Sequence, residues 1–132
     1  MAVEQLFRRQ TLARVHEAVD SVYRSDAEPY IALWASRGPV SLFGALGPCE
    51  QGLPAVGDAL RKVASRFADG SIEIRDEVVE VGTDLAYTVG FEEGNVLVDG
   101  EPRRARIRVT HIYRLEEDRW RLVHRHGDFD PA

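Results

Sequence analysis

The chain has 132 residues, 44% hydrophobic and 30% charged, an ordinary balance for one folded domain and well away from disordered or fibrous compositions. Seventeen Lys and Arg against 22 Asp and Glu leave a net charge of −5, which excludes the broad basic surface of a dedicated nucleic-acid binder. No run approaches the ~20 apolar residues of a membrane span, the N-terminal segment has no leader-like apolar core, and the single Cys49 excludes an internal disulfide. A single domain over 1–132 in the cytoplasm, contacting neither membrane nor nucleic acid, is therefore expected.

Residues 4 to 23 carry Leu12, Val15, Val19, Val22 and Tyr23 at a helical period, with His16 on the same buried stripe. Ser25-Asp26 supplies an N-cap and Pro29 suits a first turn. Tyr30, Ile31, Leu33 and Trp34 then give a short second helix that stops before Gly38-Pro39. Val40 to Leu46 reads as a short strand, and Gly47-Pro48 and Gly52 to Pro54 punctuate a loop around Cys49. Val56, Leu60, Val63, Ala64 and Phe67 mark one face of a third helix ending at Asp69-Gly70.

From there the period changes to that of strands, over 71–81, 84–93, 96–98, 103–115 and 119–129, with Gly82, Gly94 and Asp99-Gly100 as turn or bulge signals. Helices first and strands second predict an α+β domain, a strongly curved antiparallel β-sheet with helices on one face. The arginines of Arg103-Arg104-Ala105-Arg106-Ile107-Arg108 read as solvated or paired.

The last strand, Trp120-Arg121-Leu122-Val123-His124-Arg125-His126-Gly127-Asp128, places ionisable groups where a core strand rarely does, and so borders a pocket or an interface. Alternation puts His124, His126 and Asp128 on one face and Val123 and Arg125 on the other. The turn sets the register against the preceding strand. A two-residue Glu117-Asp118 turn opposes Arg114 to Arg121 and asks Glu117 for positive φ, so a three-residue loop, Glu116-Glu117-Asp118, is preferred, pairing Ile112 with Leu122 and Arg106 with Asp128.

In that register His111 faces with Ile107, Val109, Tyr113, Val123 and Arg125, while Ile112, Trp120, His124 and His126 face outward. The third histidine then points away from the other two, and no metal site is expected. His111 with Glu92, which lies in line with Gly90 and Thr88, and Arg125 is either a proton-transfer or anion-binding set or an internal ion-pair network.

The segments Arg108-Val-Thr-His-Ile-Tyr-Arg114, Trp120 to Asp128 and Asp84-Leu-Ala-Tyr-Thr-Val-Gly-Phe-Glu92 resemble the SnoaL-like and ketosteroid-isomerase-like branch of the nuclear transport factor 2-like superfamily, over nearly the whole chain. The resemblance implies a cone-like fold in which three N-terminal helices and a strongly curved antiparallel β-sheet enclose an apolar cavity, with dimerisation through the sheet's outer face. The hairpin is also similar to the association domain of calmodulin-dependent protein kinase II. The positions matching that domain's pocket arginines are here Glu92, His111 and Gly127, none of them arginine. Ketosteroid isomerases carry a tyrosine on the first helix where this chain has His16, and epoxide hydrolases of this fold use an Asp-Arg-Asp set where the end-strand position here is Arg125.

The first reading is a pocket protein for a small apolar or anionic ligand, an isomerase, cyclase or hydrolase working by general acid/base chemistry without a cofactor. His111 would shuttle the proton, Glu92 orient the imidazole and Arg125 steady oxyanion charge, with His16, Trp34, Phe43, Val109, Tyr113 and Val123 lining the cavity. The second is a non-catalytic ligand-binding or oligomerisation module, a homodimer through Ile112, Trp120, His124 and His126.

Overall fold

The computed structural model describes residues 2–131. The first helix is assembled from α1 (Val3–Phe7), a π-helical turn (Arg8–Leu12) and α2 (Ala13–Val22). Phe7 and Leu12 are five apart and both buried. The wider turn brings them onto one face, where regular α geometry would splay them. Phe7 then meets Tyr113 and Trp120 edge-on, with ring centroids 5.1 and 5.7 Å away.

The second helix, α3, is only Glu28–Ile31; its N-cap is Ala27 rather than Ser25 or Asp26, and Asp26 Oδ1, one residue earlier, accepts the Glu28 N–H at 3.1 Å. Ser25 instead ends the preceding helix at φ 77 and donates its hydroxyl to the Phe67 carbonyl. The third helix, α4 (Leu53–Arg66), stops before Phe67. Among the described residues, no helix is long and apolar enough to cross a membrane.

Among the described residues, six strands form one sheet: β1 (Ser41–Phe43), β2 (Cys49–Gln51), β3 (Phe67–Val81), β4 (Leu85–Val98), β5 (Glu101–Glu116) and β6 (Arg119–Phe129), in the order β2-β1-β6-β5-β4-β3. All neighbours are antiparallel except β1 and β6. The sequence expectation of an α+β domain holds, with three corrections. The Cys49 loop contains an edge strand, β4 runs unbroken through Gly94, and β3 starts at Phe67 because Asp69 takes φ 53 within the strand rather than closing a helix. Register shifts between Ala68 and Ser71 and between Asp76 and Val78 bend β3 over the helices. There the sheet has no room for side chains: a Cβ on Gly90 would lie 1.9 Å from the Arg75 carbonyl oxygen, and one on Gly94 2.0 Å from that of Ser71.

The β5–β6 hairpin corrects the preferred register. Its turn is the two-residue Glu117-Asp118 form, both at positive φ, and Arg114 does oppose Arg121. The two guanidinium groups diverge, Arg114 donating to the Arg37 carbonyl and Arg121 Nη1 to that of Ala32 at 2.9 Å, so the opposition costs little. A bulge at Val123 then adds one residue to β6. The shorter turn and the bulge together move the pairing by two positions, an even number. His111 therefore still shares the inner face with Arg125, which it pairs directly. Between turn and bulge the faces are inverted: Leu122 is buried at 1% exposure, and Trp120 packs inward on Phe7 rather than on an outer face.

Of the basic run on β5, Arg108 holds Asp128 at 2.7 Å. Arg106 holds Asp130 at 2.6 Å and Glu93 at 2.7 Å while stacking on Phe91 at 4.2 Å.

Candidate functional site

Alternation along β4 and β5 turns Thr88, Glu92, Ile107, Val109 and His111 toward the helices, and all are buried. Glu92 is 1% exposed, His111 5%, and the Arg125 side chain 11%. A charged pair is stable so far inside only if its hydrogen bonds are satisfied. Arg125 provides that with two parallel bonds, Nη1 to Glu92 Oε2 at 2.7 Å and Nη2 to Oε1 at 2.9 Å. The Tyr23 hydroxyl donates to Oε1 at 2.6 Å. Burial alone would raise the Glu92 carboxyl, but the charge and hydrogen bonds of Arg125, with the Tyr23 bond, hold it below its ordinary value.

His111 sits on the other side of Arg125. Its Nε2 is 2.6 Å from the Tyr30 hydroxyl and 3.5 Å from Arg125 Nη1. Guanidinium only donates, so both contacts are satisfied in the tautomer that carries its proton on Nδ1, with Nε2 accepting from the Tyr30 hydroxyl. Burial first, and the Arg125 charge second, pull the imidazole down to about 3. The ring is therefore neutral in the resting protein.

Below pH 6.5 the unfolded chain takes up a proton at this histidine and the folded chain does not until about pH 3, so stability falls on acidification across that window. The slope approaches about 1.4 kcal/mol per pH unit, and the low-lying Glu92 carboxyl adds a loss of the same sign as it protonates in the unfolded chain. Urea melts at pH 7 and pH 5 should show the loss, and His111→Gln should shrink it. An equal loss in the variant would remove His111 as its source.

A cavity of about 50 Å³ opens among α2, α4 and the sheet, apolar around Val19, Leu42, Leu60 and Ile107, with Tyr23, Tyr30, Glu92 and Arg125 as its polar wall. Its outer side is the loop 44–48. Behind His111 a void of about 10 Å³ is lined by His16, Asp76 and Val109, and there His16 Nε2 lies 2.6 Å from Asp76 Oδ2. His111 thus stands between the cavity's tyrosine and a partly exposed His16–Asp76 pair.

The structure brings His111, Glu92 and Arg125 together as expected, with one change. Glu92 bonds Arg125 and Tyr23, so Arg125 and Tyr30, not Glu92, orient the imidazole. Of the expected lining residues, His16 and Val109 line the smaller void, while Trp34 and Tyr113 are buried outside the cavity wall. Val123 is half-buried at the bulge.

Phe43 is a correction. It is 42% exposed and packs edge-on against His124 and His126, at 5.3 and 5.6 Å, because its neighbour Leu42 takes the inward position of a three-residue strand. Ile112, His124 and His126 do face outward, in rows that run Tyr87–Ile112–His124–Ser41 and Val78–Val89–Thr110–His126–Phe43 across the sheet. Ser41 Oγ lies 2.7 Å from His124 Nδ1. Sequence reasoning missed Tyr23, Tyr30 and Asp76. The tyrosines passed as members of apolar helical stripes, and Asp76 is aimed inward by a bulge that no residue pattern in β3 announces.

The profile of SnoaL-like domains matches residues 9–129. No curated protein matches the chain. Among solved structures, it is similar to a candidate dehydratase of the nuclear transport factor 2-like family from Streptomyces avermitilis, with 21% identity, a TM-score of 0.75, and coverage of 93% of this chain and 96% of that one. It is similar too to a ketosteroid isomerase-like protein from Erwinia carotovora atroseptica, with 20% identity, TM-score 0.71, and coverage of 93% and 98%. A candidate calcium/calmodulin-dependent protein kinase type II association domain from Thiobacillus denitrificans gives 21% identity, TM-score 0.70, and coverage of 90% and 91%. At these identities the likeness is one of fold.

Proposed function

We propose, from the premise that the chain belongs to the SnoaL-like domain family, that it is a pocket protein that binds a small, largely apolar molecule through one carbonyl or hydroxyl oxygen and acts on it by cofactor-free acid/base chemistry, as an isomerase, cyclase or hydrolase. The observation that carries this reading is the 2.6 Å contact between Tyr30, on the cavity wall, and His111 behind it. Arg125 lines the cavity beside Tyr30, and its guanidinium, held by Glu92 through both Nη atoms, places positive charge where a ligand oxygen would sit. Tyr30 passes a proton between the ligand and His111 Nε2. An oxyanion developing beside Arg125 offsets the guanidinium charge, and so raises the basicity of His111 as the proton is needed.

A cavity of about 50 Å³ holds only one or two waters, so the ligand enters by displacing residues 44–48. That loop is tied mainly to itself, by Gly44 N–H to the Pro48 carbonyl and Gly47 N–H to that of Gly44.

The test is a thermal-shift screen with small enones, epoxides, steroids, aromatic polyketides and carboxylates. A ligand at ~100 times its dissociation constant adds roughly 2.7 kcal/mol. Hits should be followed for turnover, and Tyr30→Phe and His111→Gln should fold but lose turnover. Full turnover in both variants would reject the assignment.

The second reading is a non-catalytic assembly module, a homodimer through the outer sheet face. It is favoured by the exposed Val78, Tyr87, Val89 and Phe43 beside Ile112, His124 and His126, more apolar surface than a lone sheet face usually leaves open. Sedimentation at micromolar concentration should give a dimer, and Ile112→Arg a folded monomer. A monomeric wild type removes this reading.

A further inference from the structure

A second concavity, which shares no lining residue with the small cavity, carries a different chemistry. Between the start of the first helix and the tip of the β5–β6 hairpin lies a cleft of about 630 Å³, within the range of small-molecule sites. One wall carries Arg9 and Arg14, the other Arg119, Trp120 and Arg121, and the carboxylate lining it is Asp118. In a chain with more acidic than basic residues this is an unusual concentration.

Elsewhere, Arg103 apart, arginines are matched, as Arg61 is with Glu28, Arg66 with Asp99, Arg106 with Asp130, Arg108 with Asp128 and Arg125 with Glu92. Among the described residues, Arg14, Arg119 and Arg121 form no ion pair with a carboxylate, and the bond Arg121 does make, to the Ala32 carbonyl, holds its side chain against the cleft. Like charges gathered on two facing walls repel one another, and an anion between them removes that cost. Guanidinium forks match the paired oxygens of phosphate and carboxylate. The walls are also fixed in place, because Trp120 packs edge-on against Phe7.

We propose that this cleft is a binding site for a small molecule carrying at least two phosphate or carboxylate groups, held between Arg14 on the helix and Arg119 and Arg121 on the hairpin. The site is independent of the cavity lined by Tyr30 and Arg125, and it stands whether or not that cavity catalyses a reaction.

The test is calorimetric titration of the full chain with inorganic pyrophosphate and, separately, citrate, at constant ionic strength set with chloride, with tryptophan fluorescence, to which Trp120 and the buried Trp34 both contribute, followed in parallel. Saturable binding with a dissociation constant at or below roughly 1 mM is expected near 0.15 M salt. Arg14→Ala with Arg119→Ala, both at exposed positions, should weaken it about tenfold or more, while Arg103→Ala, on β5, should leave it within about twofold. Preference for pyrophosphate would assign phosphate esters, and preference for citrate polycarboxylates. No saturation with either ion, or equal weakening by Arg103→Ala and the paired variant, would overturn the proposal.

Discussion

Replacing Arg125 by Met should cost about 3–5 kcal/mol of folding free energy, because the variant leaves the Glu92 carboxylate charged, buried and without its two parallel hydrogen bonds. The measurement is the urea midpoint at pH 7. The double variant Glu92→Leu, Arg125→Met should recover most of the loss, since an apolar pair of similar volume removes the stranded charge along with its partner. The two single losses would then not add, and the coupling between them measures the network. The same Arg125→Met change removes the second-largest influence on His111, whose imidazole should titrate above its present value of about 3, as read by nuclear magnetic resonance. A single variant as stable as the parent would mean that Glu92 is solvated or protonated, and the buried ion pair would have to be abandoned.

Gly90→Ala should be comparably damaging for a purely steric reason. The new methyl would sit 1.9 Å from the Arg75 carbonyl oxygen and 3.0 Å from the Asp76 Cα, both backbone, so no side chain can swing aside. Strands β3 and β4 must separate where the sheet bends, at a cost of about 3 kcal/mol or more. Gly57→Ala supplies the control. Its methyl would meet the flexible end of Arg61 at 3.6 Å and Ile31 at 3.8 Å, ordinary contacts inside α4, so a gain of about 0.5–1 kcal/mol from helix propensity is expected. Thermal melts of the two variants should therefore move in opposite directions, and a Gly90→Ala protein with the parent's midpoint would show that β3 does not pack against β4 at this point.

The sequence conveyed the parts of this fold that depend on periodicity. The buried stripe of the first helix, the switch from helices to strands and the inward set of Val109, His111 and Tyr113 follow from spacings of about 3.6 and 2. Inward placement of Arg125 was legible only because a turn shorter by one residue and a bulge longer by one shift the hairpin by an even number. Trp120 and Leu122 lie between those two features and were assigned to the wrong face for the same reason. Backbone carbonyls at Arg37 and Ala32 settle the turn by drawing Arg114 and Arg121 apart, a long-range circumstance no hairpin rule contains. His111, Glu92 and Arg125 could be named as a group, yet their order could not. The tyrosines that complete the site come from helix positions whose hydroxyls carry no pattern of their own, and Phe43 changed sides because a three-residue strand offers too little alternation to read.

The order of the strands also limits how copies of this protein can meet. Each end of an open sheet is a template for another chain, and here neither end invites one. One is the three-residue β2, too brief to seed an extended ladder. The other, β3, exposes Glu73, Arg75, Glu77 and Glu80 along its length. If copies pair through the outer sheet face as proposed above, a two-fold pairing would close on itself and growth would stop at two, so that crowding or heat should favour a bounded pair over an endless stack of strands.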